Sequence, residues 1–295
     1  MTSTEEEAEV CASCGKAEVN NITLKKCSAC ESVRYCGVAC QKNHRPQHKR
    51  ACKKRAAELR EEILFRQPES SDLGDCPICF LPLSLDMTKN SMHSCCSKII
   101  CNGCDYIRQR EEMLQHNCPF CRQTIPKAQA GNDAYNMRRV AANDPVAMRE
   151  MGLRCFEKGH YGSAFEYWTK AAGLGDVVAH YELSAMYYHG HGVEKDKKKE
   201  IHHLEVAAIG GNPEARHSLG WEELDSGRKE RAVKQFIIAA NLGFDPSIKM
   251  LKKFYVEGVV PKEDFAAALR AYQAAVDATK SPQREAAEQA RKNQG

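Results

Sequence analysis

The spacing of the cysteines constrains this chain more than any other feature of its sequence. Fifteen of the sixteen cysteines lie before Arg122, and most of them form C-x2-C or C-x3-C steps. A step of this kind lets two thiolates reach one metal ion from a tight turn. Two sets of eight candidate ligands can be separated, and each is large enough for two tetrahedral sites. The sets are Cys11, Cys14, Cys27, Cys30, Cys36, Cys40, His48 and Cys52, and then Cys76, Cys79, Cys95, Cys96, Cys101, Cys104, Cys118 and Cys121. Cys155 lies outside both sets and is expected to be a small buried hydrophobe.

Zinc explains these cysteines better than disulfides do. The N-terminal sequence MTSTEEEAEV is acidic and lacks the features of a signal peptide, and no apolar run approaches the roughly 18 residues that cross a bilayer. We therefore expect an intracellular protein, in the cytoplasm or the nucleus, where thiols stay reduced. Four zinc ions are expected, two for each set of ligands.

The first set lies in residues 11–52. Cys36 and Cys40 are four residues apart, as are His48 and Cys52, so each pair can share one face of a helix. The order of all eight ligands resembles the MYND zinc finger. The resemblance implies interleaved pairing, with one zinc on Cys11, Cys14, Cys36 and Cys40 and another on Cys27, Cys30, His48 and Cys52. Such pairing would hold together a segment that is too short to form a good apolar core.

The MYND resemblance also implies a ligand, because these fingers usually bind short proline-rich peptides. Here the sequence departs from the family, which commonly has an aromatic residue where this chain has Arg45. The finger is also strongly basic. We interpret that charge mainly as compensation for zinc-bound thiolates, with an acidic or nucleic-acid partner as the alternative. His44 is expected to be a surface residue beside the ligand His48.

The second set resembles a RING finger over residues 76–126. The family's cross-brace implies one zinc on Cys76, Cys79, Cys101 and Cys104 and another on Cys95, Cys96, Cys118 and Cys121. An ordinary RING has a histidine where this chain has Lys98. A protonated lysine cannot bind zinc, so the adjacent thiols of Cys95 and Cys96 supply two ligands instead, with His93 as the alternative to one of them.

RING fingers usually recruit a ubiquitin-conjugating enzyme and form no covalent intermediate, so the resemblance implies partners rather than a catalytic residue. The family's contact positions correspond to Ile78, Pro119 and Arg122. An arginine at the last position could contact ubiquitin and the conjugating enzyme at once. In the alternative interpretation, Ile78 and Pro119 only shape the zinc-binding turns and Arg122 is a solvated charge.

A repeat array is predicted for residues 144–280. One phrase occurs three times, as AAGLGDVVA (171–179), AAIGGNPEA (207–215) and AANLGFDPS (239–247), and a weaker copy is AAVDATKSP (274–282). With the G-x-G-V-x-x-D turn at 190–196, these phrases resemble Sel-one-like (Sel1-like) repeats, which are related to the tetratricopeptide family. In the first three copies the glycine at the fifth position (Gly175, Gly211 and Gly243) should end one helix, and the residues after it should begin the next. Such helix pairs stack into a shared core and usually bind proteins on their concave face.

The sequence thus predicts a multidomain protein with two small cross-brace zinc fingers, MYND and RING, followed by an all-α solenoid of helix-pair repeats. Residues 1–10 are expected to be a disordered acidic tail, 53–75 a charged helix and linker, 127–143 a linker, and 281–295 a helical or disordered tail. The preferred function is a RING-type ubiquitin ligase whose other modules select protein partners. The main alternative is a zinc-binding adaptor without ligase activity, and a DNA-binding regulator is a third, less favoured one.

Overall fold

The computed structural model describes residues 9–18, 23–110, 117–126 and 128–293. The predicted acidic tail lies outside these residues, apart from its last two positions. The chain divides into two compact units, residues 1–66 and residues 67–295, and each is described by itself. Among the described residues, no helix combines the length and the apolar composition that a membrane span requires.

The first unit contains a two-stranded antiparallel sheet and one long helix. Strand β1 (Lys25–Lys26) pairs with β2 (Arg34–Tyr35), and helix α1 spans Val38–Leu64. The helix continues past residue 52, where the sequence places the end of the finger, because residues 53–64 are rich in alanine, lysine, arginine and glutamate, which favour helix. Ion pairs one turn apart, such as Arg55 with Glu58, support the same segment.

The second unit begins with the second finger. Strands β3 (Asn90–His93) and β4 (Lys98–Cys101) form an antiparallel hairpin, and helix α2 (Asn102–Arg110) follows directly. A single 3₁₀ turn, Met87–Lys89, precedes the hairpin. The small core of this finger contains three cysteines together with Leu83 and Ile100.

Helix pairs make up most of the remaining chain. The helices are α3 (Gln129–Ala141), α4 (Pro145–Glu157), α5 (Tyr161–Gly173), α6 (Val177–His189), α7 (Lys197–Ile209), α8 (Pro213–Asp225), α9 (Lys229–Asn241), α10 (Asp245–Val256), α11 (Lys262–Ala278) and α12 (Pro282–Lys292). Consecutive helices from α4 to α11 pack against one another, most extensively α4 with α5, α6 with α7 and α8 with α9. Trp168 and Phe236 are fully buried in the array, each packed against a glycine of the preceding helix, Gly152 and Gly220. Cys155, expected to be buried, is half-buried beside the hydrophobic cluster that contains Trp168.

The repeated phrase has the structure that the sequence indicates. Gly175, Gly211 and Gly243 all adopt left-handed backbone conformations just after a helix. Asp176 and Asn212 then cap the next helices by accepting hydrogen bonds from backbone N–H groups within the first turn. The third copy differs, because Phe244 occupies the capping position of α10 and Asp245 is the first helical residue.

The prediction of a linker at 127–143 needs correction, because Gln129–Ala141 form helix α3. Val140 packs against the core of the first helix pair, and Asn136 is fully buried. The segment has no strong sequence signal for a helix start, since Ala128 at the capping position offers no side-chain acceptor. Tertiary packing therefore stabilises a helix that the local sequence does not predict. The tail at 281–295 contains helix α12, one of the two predicted possibilities.

Candidate metal centres

The first group of ligands lies at the start of the first finger. The Sγ atoms of Cys11, Cys14, Cys36 and Cys40 all lie within 4.8 Å of one another. Cys36 is 3.6 Å from Cys14 and 3.5 Å from Cys40. Its backbone N–H lowers the pKa of the Cys11 thiol to about 6, whereas hydrogen bonding with Cys40 raises the pKa of Cys36 to about 12. Four thiols this close can all ionise only around a cation, which is the environment of a metal site.

The second group contains the histidine. Cys27, Cys30, His48 and Cys52 bring their ligand atoms within 4.8 Å of one another. The Nε2 atom of His48 is 3.2 Å from Cys30 Sγ, and Cys27 Sγ is 3.8 Å from Cys52 Sγ. Helix α1 carries both His48 and Cys52, four residues apart, so one helical face supplies two ligands. His48 is buried, and its Nε2 atom is the one that faces the thiols.

Two further side chains support His48, and the sequence did not identify this role for them. The hydroxyl of Tyr35 is 3.1 Å from His44 Nδ1, and the His44 ring stacks on His48 with centroids 5.6 Å apart. Tyr35 is buried, and its ring also meets His48 edge to face. His44 is therefore a half-buried residue that helps to orient the ligand ring. The four-residue spacing of His44 and His48 on a helix was the available signal.

The third group lies in the second finger. Cys76, Cys79, Cys101 and Cys104 form a cluster of thiols within 4.8 Å, and Cys79 is the most accessible of them. Backbone N–H groups point at two of these sulfurs, from Cys101 to Cys76 Sγ at 3.5 Å and from Cys104 to Cys101 Sγ at 3.4 Å. Burial raises the pKa of the Cys104 thiol strongly. A cation is again needed before all four sulfurs can be thiolates.

The fourth group consists of Cys95, Cys96, Cys118 and Cys121, with Cys96 and Cys118 3.6 Å apart. The adjacent cysteines of the hairpin turn both face this cluster, and Lys98 is exposed outside it. The alternative ligand His93 is buried elsewhere. Its ring packs edge to face on Phe120, and its Nε2 atom is 3.9 Å from Asp105.

The donor sets fit zinc. Three groups offer four sulfurs and one offers three sulfurs with an imidazole nitrogen, which are the ligand sets of structural zinc sites. Each group supplies four protein donors, so a tetrahedral zinc ion would have no coordination position open for a substrate. The protein is thus a zinc-binding protein with four candidate sites, and the metal would stabilise folding rather than supply chemistry.

The predicted contact positions of the second finger lie on its surface. Ile78, between Cys76 and Cys79, has 40% of its surface exposed, and Pro119 is exposed between Cys118 and Cys121. Arg122 is exposed as well and adopts a left-handed conformation with φ of 60°. Phe80, which the sequence did not single out, is 75% exposed beside the first of these turns.

Comparison with known proteins supports two of the three modules. Residues 11–52 match the family model of the MYND finger. The chain is similar to HcpC of Helicobacter pylori, with 33% identity over 60 residues that cover 20% of this chain and 21% of HcpC. It is also similar to a Sel1-like repeat-containing protein of Schizosaccharomyces pombe, with 28% identity over 135 residues that cover 44% of this chain and 20% of the other protein. The chain therefore spans only about a fifth of the length of each relative.

The chain is also similar to parts of two solved structures. One is a Sel1 repeat protein from Oxalobacter formigenes, with 22% identity, a TM-score of 0.45, and coverage of 59% of this chain and 71% of that one. Another is c5321, a protective antigen of uropathogenic Escherichia coli, with 20% identity, a TM-score of 0.40, and coverage of 56% and 36%. The chain thus combines four candidate zinc sites, a segment at residues 11–52 that matches the MYND finger, and a helical array that is similar in sequence to Sel1-like repeats.

Proposed function

We propose that this protein is an intracellular, zinc-stabilised adaptor that binds other proteins through its repeat array and its MYND finger. The observation that carries the proposal is a cavity of about 400 Å³ on the array, formed by α6, α7 and α8. Tyr188 and Trp221 line it and are 55% and 44% exposed. Exposed aromatic side chains at a concavity are typical of protein-binding surfaces, because they offer a large contact area at low entropic cost.

The charge of this cavity indicates the chemistry of its partner. Glu200, Glu222 and Asp225 also line it. The chain's own Lys197 pairs with Glu200 and Glu222, and its ammonium lies 5.7 Å from the centre of the Tyr188 ring. Carboxylates beside aromatic faces favour a positively charged side chain. We therefore propose a partner segment with lysine or arginine next to an apolar residue.

Selection from a random peptide library tests the adaptor proposal. The full-length zinc-loaded chain should enrich basic, apolar peptides, and Trp221→Ala should weaken their binding at least tenfold. A matched control is Tyr255→Ala, which removes another part-exposed aromatic side chain outside the cavity. The proposal fails if the enriched peptides bind the wild type and Trp221→Ala equally well.

Ubiquitin ligation by a RING-type second finger is the second candidate function. Its support is the cross-brace grouping of the eight thiols together with the exposure of Ile78, Pro119 and Arg122. In this proposal Ile78 and Pro119 contact a ubiquitin-conjugating enzyme, and the Arg122 guanidinium donates hydrogen bonds that restrain the enzyme's ubiquitin thioester. The MYND finger and the array would then select the protein to be modified.

A ubiquitin-chain assay with a panel of purified conjugating enzymes tests this candidate. Chain formation should need the zinc-loaded protein and should fall at least tenfold in the double variant Ile78→Ala, Arg122→Ala. Lys98→Ala is the control, because Lys98 is exposed in the same finger but lies outside the proposed contact. Absence of chains across the panel, or full activity of the double variant, leaves the adaptor as the function.

A further inference from the structure

One arginine at the end of the chain contacts the third zinc-ligand group. Arg284 Nη2 donates to Cys79 Sγ at 3.4 Å and to the carbonyl of Leu81 at 3.1 Å. Its Nη1 donates to the carbonyl of Pro82 at 2.7 Å. The guanidinium therefore binds the turn that carries Cys79 at three points, although 205 residues separate the two side chains in the sequence.

The same guanidinium also contacts the end of the repeat array. Its Nη1 donates to the carbonyl of Thr279 at 2.7 Å, and Thr279 is the residue that caps α11. The carbonyls at the C-terminal end of a helix lack partners within the helix, so a cation there is favourable. Arg284 is thus a bridge between the last helix of the array and the third zinc site.

Helix α12 packs closely on the finger around this bridge. A side chain at Gly103, in the first turn of α2, would lie 2.8 Å from the backbone nitrogen of Arg284, so the two helices approach at a position without a Cβ. Ala287 is buried on α12. One turn further, Glu288 pairs with Lys89 at 3.5 Å, and Arg291 donates to the carbonyl of Thr88.

A hydrogen-bond donor at Cys79 Sγ affects the charge balance of the zinc site. A site with four thiolates and one zinc ion carries a formal charge of −2, and hydrogen bonds to the sulfurs offset part of it. The Arg284 guanidinium is placed to offset this charge, because its Nη2 donates to Cys79 Sγ. An arginine suits the position because its planar fork can donate to several acceptors at once, whereas a lysine is a single point charge.

We propose that Arg284 is a positioning residue of the third zinc site, and that helix α12 keeps the four ligands of this site together by packing on α2. Arg284 fixes the turn that carries Cys79 and balances the charge of the thiolates, while the bond to Thr279 ties that turn to the array. Zinc at this site and the packing of α12 are then coupled, so loss of either one loosens the other.

The test compares zinc release from full-length variants. Arg284→Ala should release one of four zinc ions to a chromogenic chelator about tenfold faster than wild type. Arg284→Lys should be intermediate. Arg291→Ala is the matched control, because Arg291 also links α12 to the finger through a carbonyl but contacts no ligand. It should release zinc at nearly the wild-type rate.

Alkylation of cysteines, mapped by mass spectrometry, identifies which site opens. In Arg284→Ala, alkylation should accelerate at Cys76, Cys79, Cys101 and Cys104 and stay slow at Cys95, Cys96, Cys118 and Cys121. Hydrogen exchange should show parallel loss of protection in α12. Unchanged zinc release, or equal acceleration at all eight cysteines, overturns the proposal. If Arg284→Ala is too unstable to purify, Arg284→Lys provides the same comparison within a folded chain.

Discussion

The two sets of zinc ligands in this protein differ in what packs around them. In the first finger the buried core consists of three cysteine ligands, Leu24 and Tyr35. The second finger has comparable ligands but also contacts two helices from later in the chain. Ser94 hydrogen bonds to Asn132 of α3, and α12 packs on α2. We therefore expect metal to provide most of the folding free energy of the first finger, and packing to share this role in the second.

Complete removal of zinc should give the largest difference between the fingers. A strong chelator should abolish hydrogen-exchange protection in β1, β2 and the first half of α1, because little apolar surface remains to hold them. The second finger should keep partial protection in α2, and the array should stay helical, since its cores contain no zinc ligand. Persistent protection of the first finger after chelation would contradict this account.

Loss of the histidine ligand should remove one zinc ion. His48→Ala leaves three sulfurs at the second site, and the chain should then purify with one fewer zinc ion than wild type. His44→Ala keeps all four ligands and removes only the stacking and the Tyr35 hydrogen bond, so its zinc affinity should fall about 10-fold. Competition with a calibrated chelator measures both. Equal affinities for the two variants would show that His48 does not bind zinc.

Overpacking of the array should destabilise it without any change in zinc content. A methyl group at Gly152 would lie 2.5 Å from the Trp168 indole nitrogen, which donates to the Arg149 carbonyl. Gly152→Ala should therefore cost about 1–3 kcal/mol of array stability. Gly162→Ala, at an open helical position, should be neutral or slightly stabilising. Chemical denaturation and zinc analysis check the pair. A lower zinc content in Gly152→Ala would show that the packing of α4 on α5 also controls the zinc sites.

A buried carboxyl group should give the smallest effect. Burial, with Glu214 nearby, raises the pKa of Glu182 to about 7, above its value of roughly 4.3 in the unfolded chain. The stability that depends on its protonated form is present below pH 4 and is lost as the pH rises through 7. Glu182→Gln should therefore gain about 1 kcal/mol over wild type between pH 6 and pH 8, and thermal denaturation of the array measures this.

Glu166→Gln, which changes an exposed carboxylate on α5, is the control for this comparison and should show no such gain. A constant difference between Glu182→Gln and wild type across this pH range would mean that Glu182 is ionised throughout.

Local spacing predicts the parts of this structure that depend on neighbouring residues. The knuckles such as Cys76 and Cys79, the helical pair His48 and Cys52, and the glycine caps at the end of each phrase all involve residues within about five positions. The grouping of distant knuckles into four sites came from the family resemblance. Composition alone would not have provided it.

The remaining features depend on contacts between segments that are far apart in sequence. Arg284 binds the Cys79 turn across 205 positions, and nothing in the sequence around Arg284 indicates a zinc ligand nearby. The sequence predicts a linker where helix α3 forms. The helix is missed because packing on the array and the finger stabilises it, rather than its own caps. Long-range packing of this kind overrides local propensity.

Native mass spectrometry of the full-length chain at neutral pH tests the central claim most directly. We expect four zinc ions per chain with all cysteines reduced, and stepwise loss of zinc on mild chelation. A chain that retains its fold with no bound zinc, or that contains disulfides among the fifteen clustered cysteines, would contradict it.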